Sequence, residues 1–430
     1  MGGAVLSSAG TRRIAGRGEP HRLLVVSPFP PRRDGFHGGA RAIAHFLHRL
    51  AVRHEIALLC LRASAEPPID EQLVTELAHV EEIVYPGGAS ANGPIRGLVR
   101  DYAGLLRGTP SWVRGLRSIE FARALRDLDF AWRPDIIQFE YSVMGQYVTA
   151  LPDLRAPRVL VEHDLAIEAA SELWRRKRGT ARLRAGVELL AWKNFESRLM
   201  EQVDVVVVFT DRDADAVRGF FADARVKVVP LGAEIPTRPL NPRGGSPPTL
   251  LFVGSFVHTP NVDAAVRLAR DIFPRLRDTF PELMLNLVGH APTSEVRALV
   301  APRIAVHGDV PDVTPYVEQA AVFVAPLGLG GGMRIKVLEA LAAGKAVVAS
   351  PRAVEGICAV PGEHLILAES DEEFAAAVAQ LVRDPARRSA IGEAAHAWAR
   401  EHLSWDRSAS LFERLYDSLI PSGEAAARRT

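Results

Sequence analysis

From Arg22 onward, short runs of apolar and β-branched residues alternate with longer stretches whose apolar positions recur at helical spacing. That pattern predicts repeated strand-helix units around a parallel sheet. RLLVVS (22–27) reads as a first buried strand, Gly39 to Val52 as a helix, HEIALLCL (54–61) as a second strand, DEQLVTELAHV (70–80) as a helix and EEIVYP (81–86) as a third strand. PGGASANGP (86–94) is turn-rich and interrupts the alternation. Further strands are expected at PDIIQFE, APRVLVEH, VDVVVVFT and VKVVPLG, with helices between most of them.

Residues 236–248, PTRPLNPRGGSPP, contain five prolines and two adjacent glycines with no apolar period. Such a stretch cannot make an ordinary helix or a central strand, and it reads as an interdomain linker. The alternation then restarts with TLLFVGS, a helix from Asn261 to Phe280, LMLNLVG, IAVHG, AVFVAP, a helix from about Met333 to Ala343, and AVVAS. The expected fold class is α/β, with two Rossmann-like doubly wound domains facing across a cleft, because open parallel sheets bind ligands beyond their strand carboxyl ends. The divisions are a flexible segment at 1–21, a first domain at 22–235 completed by a C-terminal helix at 404–420, the linker at 236–248, a second domain at 249–403 and a tail at 421–430.

Composition narrows the function classes. The chain has 430 residues, 48% apolar and 24% charged, which is ordinary globular usage. Fifty-two basic residues against fifty-one acidic ones leave a net charge of +1, so no global field favours nucleic acid and any anion site is local. Two cysteines, Cys60 and Cys358, have no partners at metal-ligand spacing, which argues against zinc and disulfide frameworks and fits a reducing compartment. The first twenty residues lack an apolar signal core, Leu6 stands where myristoylation needs Ser or Thr, and no run of roughly eighteen apolar residues occurs. The expectation is a cytoplasmic protein, peripheral at the inner membrane face at most. For that contact the candidate is 171–200, with eight Lys or Arg against three Glu and with Trp174, Leu189, Leu190 and Trp192 among them. It reads either as a basic amphipathic surface for anionic lipid or a phosphorylated acceptor, or as a solvated helix packed on its own domain.

The stretch from Ala321 to Gly356 carries the chemistry. A strand is followed by a turn with Gly328, Gly330, Gly331 and Gly332, then by a helix and another strand. The glycines allow backbone to approach a ligand, and the helix N-terminus offers free N–H groups and partial positive charge, an arrangement suited to a diphosphate. Arg334 and Lys336 fall in the first turn, where cations oppose the helix dipole and an anionic ligand would offset the cost. Glu339, about one turn further, can accept hydrogen bonds from a vicinal diol such as ribose. An exposed helix face bearing Arg, Lys and Glu is the plainer account of the same spacing. The dinucleotide fingerprint is incomplete, because Met333 follows where Gly or Ala is required.

The segment GGGMRIKVLEALAAGKAVVAS with EGI at 355–357 resembles the signature of group 1 glycosyltransferases of the retaining, GT-B type. LLFVGSFVHTPNVDAA, VKVVPLGAEIP and LSWDRSASLFERLY extend the likeness over roughly 22–418. The resemblance implies a sugar transferred from a nucleotide-diphosphate sugar to a hydroxyl acceptor in glycan, polysaccharide or glycolipid synthesis. It implies no metal and no cofactor, the nucleotide-sugar being the substrate. It places donor sugar and diphosphate against Gly330, Gly331, Gly332 and Met333, ribose on Glu339, and phosphate on Arg334 and Lys336. Gly38 and Gly39 of DGFHGGAR, with Arg41, match a glycine-rich loop near donor phosphate. His163 of EHD, at a strand end, would contact the donor sugar or stabilise developing charge, and Glu140 also ends a strand at that edge.

Two departures matter. Many members carry two glutamates eight positions apart, and the position eight before Glu339 is Gly331. Several also carry Arg and Lys after the first strand of the second domain, where this chain has His258 and Asn261, which shifts the expected phosphate role to Arg334 and Lys336. Asp211, Asp213 and Asp215 form D-x-D pairs, but Thr210 with Asp213 matches a helix capping box, which explains them without a metal. Three other readings share parts of the pattern: a GT-B sugar-nucleotide epimerase, a noncatalytic sugar-nucleotide binding module, and a dinucleotide-dependent dehydrogenase, which would need a ribose acid that AVVAS lacks.

Overall fold

The structure is a computed structural model that describes residues 20–33, 38–86, 108–328 and 335–420. These form two compact units, one comprising residues up to Pro230 together with the stretch from Ala409, the other running from Leu231 to Ser408. Most of the segment expected to be flexible, most of the turn-rich run and the whole tail lie outside the described residues.

Among the described residues, the first unit has seven strands: β1 Arg22–Ser27, β2 Glu55–Ala63, β3 His79–Tyr85, β4 Ile136–Glu140, β5 Arg158–Val161, β6 Val205–Val208 and β7 Val226–Val228. All pair in parallel, in the order β3-β2-β1-β4-β5-β6-β7. The order reverses between β1 and β4, which is where such sheets open a crevice beyond their carboxyl ends. Leu24, Val26, Ala57, Leu59, Ile137 and Phe139 are buried in one core with Phe121, Tyr147 and Leu199. A sheet covered on both faces needs apolar residues at successive positions, so these strands read as continuous runs rather than as alternations. The helix Gly38–Leu50 buries Ile43, Phe46 and Leu47, and Phe46 meets Phe412 of the C-terminal helix Trp405–Leu419 edge to face at 4.9 Å.

The helix expected over 70–80 is shorter. It spans Glu71–Glu76 with Asp70 as its cap, and His79 and Val80 join β3 instead. Parallel pairing with Ala57 and Leu58 of β2 outweighs the local helical period there.

The second unit has six described strands, β8 Thr249–Val253, β9 Met284–Gly289, β10 Ile304–Gly308, β11 Val322–Ala325, β12 Val347–Ala349 and β13 Ile366–Leu367. Their order is β10-β9-β8-β11-β12-β13, with the reversal between β8 and β11. The single helix expected from Asn261 to Phe280 is broken into Thr259–Arg267, a π turn at Leu268–Ile272 and a 3-10 turn at Phe273–Arg275. Pro274 lacks the N–H that a continuing helix would need.

The proline-rich segment makes no helix or strand, and it is docked along the second unit. Leu240 N–H donates to the Ala343 carbonyl at 2.7 Å, and Lys345 Nζ donates to the carbonyls of Leu240 and Asn241 at 3.2 and 2.7 Å. Gly344 has φ +73°, and a Cβ there would lie 2.6 Å from Pro239 Cβ. Burial lowers the Lys345 ammonium to about 8.

Residues 171–200 do not form one amphipathic surface. They belong to a helical hairpin, Ala166–Arg176 and Gly179–Met200, in which Trp192, Phe195, Leu199 and Met200 are buried in the first unit. Leu173, Leu183 and Leu190 are exposed. No helix among the described residues is long and apolar enough to cross a membrane. Cys60 is buried in β2 and Cys358 is exposed; both are free.

Candidate active site

In the second unit the elements following β8 and β11 meet where the strand order reverses. Val253 leads through Gly254 and Ser255 into the helix Thr259–Arg267, and β11 leads to the helix Ile335–Ala342. Lys336, the second residue of the latter, donates to Asn261 Oδ1 of the former. Asn261 Nδ2 in turn donates to the Ser255 carbonyl at 2.7 Å, which fixes the amide's orientation. The Lys336 ammonium also lies 5.0 Å from the centroid of the Phe252 ring. A Cβ at Gly254 would stand 2.9 Å from Asn261 Cγ and 3.0 Å from Lys336 Nζ, and one at Gly289 would fall on the Gly254 carbonyl oxygen. Glycine at both strand ends therefore admits the lysine-asparagine pair. Beside it, burial and the Lys336 charge lower the basicity of His258. Glu339 is half-buried and three residues beyond Lys336, hence on the same helix face.

The first unit has a matching arrangement at its own reversal. The helix Gly38–Leu50 follows β1, and Tyr141 follows β4 with φ 67°. Gly39 is buried, and a Cβ on it would fall on the Tyr141 hydroxyl. Tyr141 stacks on His163, with ring centroids 4.1 Å apart and planes within 7°. His163 follows β5; its Nε2 lies 2.5 Å from Glu140 Oε2, and its ring meets Phe209 edge to face at 5.0 Å. Gln138 Nε2 donates to the other Glu140 oxygen at 2.5 Å, and Tyr416 Oη donates to Gln138 Oε1 at 2.5 Å. His163, Glu140, Gln138 and Tyr416 thus form one buried chain of polar contacts that fixes the imidazole, with Nδ1 left without a hydrogen-bond partner. A cavity of about 10 Å³, about the size of a single water, lies beside His163 and is lined by Glu162, Asp164, Glu168, Arg212 and Asp213.

Behind β5 a second pair is buried. Glu162 and Glu196 both have their carboxyls pushed upward, by burial first, with mutual repulsion adding to it for Glu162; Glu196 reaches about 8. The Ser142 hydroxyl and the Ile167 and Ala166 amides face Glu196 without closing a full hydrogen bond.

Of the residues singled out from the sequence, His163, Glu140, Gly38 and Gly39 come to the reversal point of the first sheet, and Lys336, Glu339, His258 and Asn261 to that of the second. Gly330, Gly331, Gly332, Met333 and Arg334 lie outside the described residues. Arg41 is half-buried on the first helix, and burial lowers its pKa. The Asp211 to Asp215 run starts the helix Asp211–Phe220: Thr210 Oγ1 accepts from Asp213 N–H at 3.1 Å and donates to the Asp213 carboxylate at 2.7 Å. The expected capping box is thus half made, since the carboxylate turns to the hydroxyl. Arg212 contacts Asp213, and Arg218 pairs with Asp215.

Comparison with known proteins settles the family. A model of Glycosyltransferase Family 4 matches residues 36–235, and one of Glycosyl transferases group 1 matches residues 247–384, together more than three quarters of the chain. The chain belongs to the group 1 glycosyltransferases. It is 32% identical over 194 residues to a phosphatidyl-myo-inositol mannosyltransferase of Mycobacterium tuberculosis, a match covering 42% of this chain and 50% of that protein. The chain thus spans about half the length of that relative. A D-inositol 3-phosphate glycosyltransferase of Corynebacterium jeikeium is 27% identical over 327 residues, covering 69% of this chain and 75% of the other. Among solved structures, the sucrose-phosphate synthase of Thermosynechococcus elongatus superposes with a TM-score of 0.66 at 16% identity, over 94% of this chain and all of that one, which shows the fold.

Within this group 1 glycosyltransferase, part of the signature is structural. Gly344 and Lys345 of AAGK hold the proline-rich segment, a role not read from the sequence for either. Gln138, Tyr141, Tyr416, Glu162 and Glu196 were not singled out from the sequence. A glutamine in the otherwise apolar IIQFE strand gave a trace of the first; the others have no local signal.

Proposed function

We propose that this chain transfers a sugar, with retention of anomeric configuration, from a nucleotide-diphosphate sugar to a hydroxyl acceptor, and needs no metal cofactor. The observation that carries the reading is the Lys336 ammonium held at the start of a helix at the reversal point of the second sheet, with Glu339 three residues on. As the bond from the anomeric carbon to the diphosphate breaks, charge grows on the departing phosphate oxygen. A preorganised cation and a helix N-terminus stabilise that charge without reorganising. Glu339 accepts from the ribose hydroxyls, and the acceptor's proton passes to the leaving phosphate. The family resemblance assigns His163, held by Glu140, to the donor sugar as it becomes oxocarbenium-like. By the family resemblance alone, Gly38, Gly39, Gly330, Gly331, Gly332, Met333 and Arg334 complete the proposed set of donor-binding residues. The names of the relatives, which specify phosphatidyl-myo-inositol and inositol 3-phosphate, favour a polyhydroxylated acceptor, glycan or lipid-linked.

The test is a panel of nucleotide-diphosphate sugars, followed by thermal shift and by release of nucleoside diphosphate. Lys336→Ala should lower kcat by about a hundredfold or more, the range for removing one charge-stabilising donor. NMR of the product's anomeric proton should show the donor's configuration. A wild-type protein that neither binds nor turns over any donor, or a Lys336→Ala protein with unchanged kcat, overturns the reading.

A further inference from the structure

We propose that the tip of the helical hairpin, Leu173 to Arg184, docks on the surface of an anionic lipid bilayer. Arg175, Arg176, Lys177, Arg178, Arg182 and Arg184 are all exposed there, six cations within ten residues of a chain whose net charge is only +1. The neighbouring acids are engaged: Glu172 pairs with Arg176 at 3.0 Å, Glu168 with Arg212, and Glu188 accepts from both the N–H and hydroxyl of Ser111 at 2.8 Å.

The helix Gly179–Met200 begins without a side-chain cap and without an acid in its first turn, so Arg178 and Arg182 stand at the positive end of its dipole, with Arg184 just beyond. The Trp174 ring beneath Arg182 offsets part of that cost, and an external layer of negative charge would offset the rest. The tip is held in shape at its base. Trp174 packs against Gly186, where an added Cβ would stand 3.2 Å from Trp174 Nε1, and Arg182 lies 4.6 Å over the Trp174 ring.

Two leucines decide the kind of partner. Leu183 is 74% exposed and Leu173 48%, both among the cations. A soluble polyanion would leave them in water, whereas the headgroup boundary of a bilayer buries leucine beside arginine. Beyond Ala185 the helix turns inward, with Trp192, Phe195 and Leu199 in the core. The contact is therefore made by the tip alone, not by a helix lying in the membrane plane. This inference does not depend on the transferase reading, because its test reads partition and not turnover.

The full chain is sedimented with vesicles of phosphatidylglycerol mixed with phosphatidylcholine, with vesicles of phosphatidylcholine alone, and with inorganic polyphosphate as a soluble competitor. The expected result is binding to the anionic vesicles only, weakened by salt. Arg178→Gln with Arg184→Gln should cut partition roughly thirtyfold, about fivefold per cation near the surface. Leu183→Ser should cut it roughly tenfold. Circular dichroism and thermal midpoint, unchanged, establish that both variants are folded. The proposal is overturned by absence of vesicle binding, by equal binding to phosphatidylcholine, by variants that bind like the wild type, or by polyphosphate binding that persists when vesicles are not bound.

Discussion

At Tyr141 the chain leaves β4 with φ 67°, a conformation that costs a bulky side chain energy and that the surroundings must enforce. The stacked His163 and the missing Cβ of Gly39 supply the enforcement. Gly39→Ala should therefore destabilise by about 1–3 kcal/mol through overpacking, with chemical denaturation as the measure. Tyr141→Phe in the same chain should return part of that loss, since it removes the atom struck. A Gly39→Ala protein as stable as the wild type would sink the argument. Residue by residue, legibility followed locality. Lys336 and Glu339 announce themselves by a glycine-rich turn and helical spacing, and His163 and Glu140 by standing at strand ends. Tyr141 could not be read, because nothing in its neighbours' identities signals a positive φ, and Tyr416 meets Gln138 from 278 positions away.

Among the elements, the helix Gly179–Met200 buries a carboxyl in its last turns. Glu196 has a folded-state pKa of about 8 against an ordinary 4.5, so between these values the folded protein holds more protons than the unfolded chain. Stability from this group is fully present below the ordinary value and is lost as the pH rises through about 8. Glu196→Gln should flatten that decline, read as melting temperature across the same interval. An unchanged slope would mean the pair is ionised in the fold. Elements whose period matched their tertiary setting were legible at once, above all the continuous apolar strands of the two sheets. The break at Leu268–Ile272 and the early start of β3 were not, because a π turn and a strand pairing are decided by neighbours in space.

For the whole molecule, the chain's end returns to its beginning. The helix Trp405–Leu419 starts in the second unit, and from Ala409 it belongs to the first, where Phe412 and Tyr416 are buried. Phe412→Ala should cost about 3–5 kcal/mol, a large share of a domain's total, and should lower the denaturation midpoint of the first unit. A midpoint shift of only a few tenths of that would show the helix to be an adornment. The two-domain α/β architecture was legible because strand-helix alternation restarts after a proline-rich stretch. That the same stretch is fastened by Lys345 and Arg388 was not, since its anchors lie about a hundred or more residues later.

The two thiols differ in a way that has a practical use. Burial raises the Cys60 thiol far above its ordinary range, deep in β2, while Cys358 stands in solvent in the second unit. A maleimide dye or nitroxide added to the unaltered protein thus has one address, and donor titrations can be followed optically there without any engineered cysteine.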